Sequence, residues 1–250
     1  MAEVLALGLS HKTAPLELRE RLALTEGRAT SVMNELTAAP EIREATVVST
    51  CNRTELYLVA EDTVEAETTA LSVLSREAEI RPTELTSHLY SLRASDAARH
   101  LFQVTAGLDS MIIGEAEIQG QVKRAYELSL VEGATGPILN RLFRGAISAG
   151  GRARNETGIS EKGVSVPSVA VELARRTLGD LSTSHALVIG AGETADLVAR
   201  ALVARGSQTV FVANRHYDRA IGLAQRVGGA AVRIDDLPNQ LEKADIVISA

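Results

Sequence analysis

The sequence predicts an α/β protein in two parts. A ferredoxin-like α+β domain with added helices spans residues 1–156, and a Rossmann-type parallel-sheet domain spans residues 157–250, its sheet expected to be truncated at the C-terminal side. Three observations carry this. Strand-like and helix-like segments follow a β-α-β-β-α-β order up to about residue 93, the split βαβ pattern of a ferredoxin-like sheet. From Ser95 to Arg154 the texture turns helical, with apolar residues at helical spacing. Around Gly190 a β-like run meets a glycine-rich turn, a helix and a second β-like run, the order of a dinucleotide-binding unit.

Val4–Ser10 is largely apolar and reads as the first strand. Thr25 stands directly before Glu26 and can cap the helix that follows. Ala45–Thr50 and Thr54–Ala60 are rich in β-branched and aromatic residues. They read as strands on either side of a polar break, Thr50-Cys51-Asn52-Arg53. Glu65–Glu79 has a helical composition, and His88–Arg93 reads as the last strand of this region. Ser95 is placed to cap a helix in which Leu101, Val104 and Leu108 share a face, until Gly107–Gly114 breaks the period. Helices are expected from about Ile118 to Leu130 and from Pro137 to Arg154. The stretch "NETGISEKG", residues 155–163, is polar, has two glycines and lacks an apolar period, so the domain boundary is placed there. After about Gly163 a helix over Val169–Leu178 leads to the strand Ala186–Ile189, a helix over Ala195–Arg205 and the strand Thr209–Ala213. Ile246–Ser249 reads as a fourth strand.

A hydrophobic content of 45% with 23% charged residues is that of a soluble globular protein and excludes a disordered chain. One cysteine excludes an intrachain disulfide. No apolar run approaches membrane-spanning length, and "MAEVLALGLSHK" lacks the basic start of a signal peptide. A cytoplasmic protein with no membrane partner is expected. A net charge of −6 excludes generic nucleic-acid coating. The charge is uneven: residues 55–79 carry seven acids, Glu55 among them, against Arg76. Arg141, Arg144, Arg152, Arg154 and Lys162 form a basic strip opposed by Glu156 and Glu161. Such a strip suits a specific polyanion or is simply a solvated helix face.

Cys51 admits two readings. Free cysteines are mostly small buried hydrophobes, whereas a polar, cationic setting lowers a thiol's pKa and makes a nucleophile. The turn Gly190-Ala191-Gly192-Glu193-Thr194-Ala195 fits the G-x-G-x-x-G/A fingerprint, in which backbone approaches a pyrophosphate at a helix N-terminus. Asn214 and Arg215 stand 24 residues after Gly190, where an NAD-binding domain would carry an acid. A guanidinium can pair with a 2′-phosphate, so NADPH is the expected cofactor. His216 either adds to that site or starts a helix. No metal site is expected. A hydride donor and a thiol on one chain point to reduction of an acyl group held as a thioester, because a free carboxylate resists hydride attack.

The blocks "GLSHKTAPLELRERLAL", "VVSTCNRTELYLV", "HLFQVTAGLDSMIIGEAEIQGQVKRAYE" and "GAGET" followed by "VANR" resemble the glutamyl-tRNA reductase family over the whole chain, in order. The resemblance implies NADPH-dependent reduction of tRNA-bound glutamate to glutamate-1-semialdehyde, the first step of tetrapyrrole (porphyrin, haem) biosynthesis from glutamate. It makes residues 1–156 the catalytic, glutamyl-tRNA-recognising part and 157–250 the NADPH-binding part. Cys51 matches the nucleophile, and His100 a histidine needed for activity, although its helix position alone reads as packing beside Leu101 and Val104. Thr50, Asn52 and Arg53, with Ser110, Glu115, Ala116, Glu117 and Gln121, match the substrate-binding segments. Ala116 and Glu117 stand where the family usually has Pro-Gln, Thr194 and Ala195 where it commonly has Met-Gly, and Pro167 interrupts a serine-rich helix start. Family members continue well beyond 250 residues into a dimerisation region, so this chain is expected to be a fragment lacking it. Homodimerisation and transfer of product to glutamate-1-semialdehyde aminomutase are implied for the full-length family. The rival readings are an NADP-dependent shikimate-type dehydrogenase and a non-catalytic tRNA-binding regulator.

Overall fold

A computed structural model of the chain describes residues 2–160, 166–207 and 209–250. Contacts divide it into two units, Met1–Lys162 and Gly163–Ala250. Lys162 of the basic strip, its opposing Glu161, and Gly163 lie outside the described residues.

The first unit runs β1 (Glu3–Ser10), α1 (Leu16–Arg21), α2 (Glu26–Ala38), β2 (Ile42–Ser49), β3 (Arg53–Ala60), α3 (Thr63–Ala78), α4 (Pro82–Leu85), β4 (Tyr90–Arg93), α5 (Ala94–Thr105), α6 (Glu117–Val131) and α7 (Pro137–Glu156). Its strands form one antiparallel sheet in the order β2-β3-β1-β4, the ferredoxin-like arrangement. One face of the sheet, with Leu5, Leu7, Leu56 and Leu58, packs against Val32, Met33 and Leu36 of α2 and Val73 and Leu74 of α3. The other face, with Ala6, Tyr57 and Val59, packs against Leu101 and Val104 of α5, Val122 of α6 and Phe143 of α7. All eight residues of β3 are therefore buried, and its sequence lacks the polar–apolar alternation of a one-sided strand.

Thr25 caps α2 as expected, its Oγ1 accepting from the Arg28 N–H at 3.4 Å. The start and end of α5 differ from the sequence reading. The helix begins at Ala94 without a side-chain cap, so Ser95 lies within its first turn. It ends at Thr105, because Gly107 adopts φ +79°, a left-handed conformation open to glycine. Leu108 falls beyond that turn, and it is 52% exposed rather than part of the packed stripe. His88 sits in a short 3₁₀ turn ahead of β4.

The second unit runs α8 (Val166–Leu178), β5 (His185–Ile189), α9 (Glu193–Ala204), β6 (Thr209–Ala213), α10 (Tyr217–Val227), β7 (Ala230–Val232), α11 (Leu237–Leu241) and β8 (Ile246–Ser249). The strands are parallel in the order β7-β6-β5-β8, one half of the doubly wound pattern with its reversal at β5. Ala186, Val188, Val210 and Val212 pack against Val198 and Leu202 of α9 and Leu223 of α10. Among the described residues no helix is long and apolar enough to cross a membrane.

Candidate active site

β2 and β3 are joined by Thr50, Cys51 and Asn52 alone, because Arg53 already belongs to the strand. The Thr50 N–H donates to the Arg53 carbonyl at 2.8 Å. Thr50 Oγ1 accepts from the N–H groups of Asn52 (3.1 Å) and Arg53 (3.2 Å). From outside the hairpin, the His11 N–H donates to the Asn52 carbonyl at 2.8 Å. Arg19 Nη1 donates to the Cys51 carbonyl (3.0 Å) and to Asn52 Oδ1 (2.9 Å). The tip is thus fixed by its own backbone and by α1, and it presents Cys51 as an exposed residue with a free thiol.

The electrostatics of that thiol differ from the sequence expectation. Desolvation pushes its pKa up, the negative charge of Glu115 pushes it further, and a backbone hydrogen bond and Arg19 only partly oppose them. The cation expected to lower it, Arg53, points the other way. Strand alternation carries its side chain into the sheet face beneath α5, where the residue is 2% exposed.

Arg53 is one of four donors gathered on the carboxylate of Glu55. Arg53 Nη1 donates to Glu55 Oε1 at 2.6 Å, the Tyr57 hydroxyl to Oε2 at 2.6 Å, and the Tyr90 hydroxyl to Oε1 at 2.5 Å. His100 Nε2 lies 2.9 Å from Oε1. Burial alone would raise the pKa of Glu55, but hydrogen bonds from His100 and Tyr57 and the charge of Arg53 hold it at about 2. Burial and the same carboxylate push both tyrosines up, so they stay protonated. Arg53 Nη2 reaches Asp109, donating to its carbonyl at 2.5 Å and to Oδ2 at 3.1 Å, and Lys12 bonds Asp109 Oδ1. Arg53 therefore lies between two carboxylates, Glu55 and Asp109.

The segment after α5 brings the remaining first-unit residues to the same region. It is closed by the Gly114 N–H donating to the Gly107 carbonyl at 2.9 Å. Ser110 is buried within it, and Glu115 and Ala116 lead into α6, whose first residue is Glu117. Burial raises the pKa of Glu115, and Glu117 raises it further against the opposing charge of Arg53. Gln121, one turn along α6, lines a cleft with Ser49 and Arg124.

Arg154 holds this segment from α7. Its Nη2 donates to the Glu115 carbonyl at 2.7 Å, and its Nη1 to the Thr105 carbonyl at 3.2 Å and Gln119 Oε1 at 3.0 Å. That inward role removes it from the basic strip, where Arg152 is also paired with Glu156 at 2.9 Å. The strip is not one continuous cationic surface. The sequence reading missed Glu55, Asp109, Tyr90, Lys12 and Arg19. The one available signal was Arg53, Glu55 and Tyr57 at i, i+2 and i+4 of an apolar strand, which places three polar groups on one face.

In the second unit Gly190, Ala191 and Gly192 form the turn after β5, and Glu193, Thr194 and Ala195 form the first turn of α9. Gly190 adopts φ +129°, and a Cβ there would strike the Ala250 carbonyl. Gly192 is the N-cap with no side-chain hydrogen bond, and nothing lies within 4 Å of where its Cβ would be. The start of α9 thus has neither a side-chain cap nor a neighbour crowding its N-cap, which leaves room for an anion there. Asn214 and Arg215 follow β6, with Arg215 exposed. Among the described residues no cluster of His, Cys, Asp and Glu is placed to hold a metal ion.

A ferredoxin-like unit that presents an exposed thiol near a buried ionic network thus shares one chain with a parallel-sheet unit of the dinucleotide-binding type. Comparison with known proteins makes this specific. Residues 7–157 match the family model for the glutamyl-tRNAGlu reductase N-terminal domain, and residues 172–250 that for shikimate/quinate 5-dehydrogenase. The glutamyl-tRNA reductase of Magnetococcus marinus is 44% identical over 248 residues, covering 99% of this chain and 59% of that protein. The Deinococcus radiodurans enzyme is 43% identical over 250 residues, covering 99% of this chain and 68% of that protein. The solved structure of glutamyl-tRNA reductase from Methanopyrus kandleri is 38% identical with a TM-score of 0.60, over 98% of this chain and 58% of that one. The chain belongs to the glutamyl-tRNA reductase family. It spans somewhat more than half the length of most of these relatives. A shikimate-type dehydrogenase is not favoured, because that match is confined to residues 172–250.

Proposed function

We propose that this chain carries the thiol site and the dinucleotide site of an NADPH-dependent glutamyl-tRNA reductase. The observation that carries the reading is the exposed Cys51 on a pinned hairpin tip, beside a substrate segment that Arg154 holds in place. Cys51 Sγ attacks the ester carbonyl that joins glutamate to its tRNA. The C–S bond forms, the C–O bond breaks, and the tRNA 3′-oxygen leaves with a proton, giving a glutamyl thioester. NADPH, when bound, would supply a hydride to the thioester carbonyl; the C–S bond breaks, Cys51 leaves as the thiolate, and glutamate-1-semialdehyde is released in the first step of tetrapyrrole formation. The first N–H groups of α9 would hold the pyrophosphate, and Arg215 with Asn214 the 2′-phosphate. Thr50, Asn52, Ser110, Glu115, Ala116, Glu117 and Gln121 surround the glutamyl group in this reading. A reducing compartment such as the cytoplasm would keep the exposed thiol free. Dimerisation and transfer of the aldehyde to an aminomutase belong to the same reading.

Cys51→Ser tests it. Release of glutamate from charged tRNA should be lost in the variant, since an unactivated hydroxyl is a far weaker nucleophile than a thiolate. Near-normal release would reject the proposal, and unaltered tRNA binding without release by the native chain would favour a non-catalytic regulator.

A further inference from the structure

The Glu55 carboxylate is an acceptor from every side. Arg53 and Tyr57 reach it from β3, Tyr90 from β4 and His100 from α5, while Asp109 and Lys12 lie beyond Arg53. The backbone is built to allow this convergence. Gly8 of β1 pairs with Glu55 on one side and with Tyr90 on the other. A Cβ at Gly8 would come within 2.9 Å of Glu55 Cγ, so the absent side chain lets Tyr90 reach Glu55 across β1.

A carboxylate held at about 2 is ionised at neutral pH and can only accept. The hydrogen between it and His100 Nε2 must therefore come from the imidazole. In neutral His100 the other nitrogen, Nδ1, then carries a lone pair and no proton. No group among the described residues bonds Nδ1. The side chain is 13% exposed, so Nδ1 is left for a molecule arriving from outside. The ring is also braced by an edge contact with Tyr90, centroids 5.2 Å apart.

We propose that Glu55 is a positioning residue that fixes His100 as the Nε2–H tautomer and so makes Nδ1 the proton-accepting atom of the site. The same carboxylate orients Arg53, so one buried group sets the direction of a base and of a cation together. What the base serves rests on the thioester chemistry proposed above, whereas the tautomer does not.

Nitrogen NMR of the intact 250-residue chain reads the tautomer directly, and a His100→Gln spectrum identifies that ring among the five histidines. In the native chain at a pH where His100 is neutral, Nε2 should carry the proton and Nδ1 the lone pair. In Glu55→Gln the amide can present either a donor or an acceptor, so the single tautomer should give way to a mixture. Thioester formation from glutamyl-tRNA should fall by roughly 10²-fold or more, the usual worth of a positioned base. A native chain with the proton on Nδ1 overturns the proposal, as does a Glu55→Gln chain whose tautomer is unchanged. The native measurement stands even if the variant does not fold. A native Nε2–H tautomer in a chain that forms no thioester supports the assignment and counts against the functional reading instead.

Discussion

At neutral pH most of the Cys51 thiol is protonated, because desolvation and Glu115 both push its ionisation upward. Alkylation by iodoacetamide follows the thiolate. Its rate against pH should therefore have a midpoint above the ordinary thiol range, and Glu115→Gln should move that midpoint down by removing a negative charge. A midpoint below neutrality would show that the cations around the hairpin dominate after all. At this scale the sequence showed a single thiol in a polar turn but not that thiol's surroundings. The polar turn left both readings of Cys51 open, and the structure places the residue outside the core. The same turn was read one residue too long, and that error placed Arg53 beside the thiol rather than within the sheet. Glu55 was counted only as one of the seven acids of residues 55–79. Its burial depends on Arg53, Tyr90 and His100, and two of those three lie more than 30 positions away.

At the scale of the element, β1 is the strand on which the site depends. Replacing Gly8 with alanine would put a methyl group 2.6 Å from the Thr54 carbonyl and 2.8 Å from Glu55 Cα, both backbone atoms that cannot rotate away. Thermal or urea unfolding should show a loss of about 1–3 kcal/mol, the typical cost of overpacking. Gly27 supplies the control: it lies in the first turn of α2, and nothing lies within 4 Å of where its Cβ would be. Gly27→Ala should be neutral or stabilising by up to about 1 kcal/mol. Equal effects from the two substitutions would remove the packing argument. The strand and helix order was legible because the strands are rich in β-branched and aromatic residues and the helices carry apolar residues at helical spacing. The ends of α5 were not, since Gly107 overrides a spacing that would otherwise carry Leu108 onto the packed face.

At the scale of the molecule, a ferredoxin-like unit that holds a thiol and a parallel-sheet unit with an open helix N-terminus divide the proposed chemistry between them. The second unit was the more legible, because strand, glycine turn, helix and strand must follow at fixed distances for a backbone to meet a pyrophosphate. In the function proposed above, cofactor choice rests there on Arg215. Arg215→Ala should weaken NADPH binding by roughly 1.5–3 kcal/mol, the worth of a hydrogen bond to a charged group, and leave NADH binding almost unchanged. Equal losses for both would exclude a 2′-phosphate contact. The central claim is that Cys51 takes the glutamyl group from its tRNA. Mass spectrometry of the chain after incubation with glutamyl-tRNA and no reductant tests it most directly. The account predicts one glutamyl adduct, mapped to the peptide that contains Cys51 and absent from Cys51→Ser. Deacylated tRNA with no adduct on that peptide, or the same adduct in the serine variant, would contradict it.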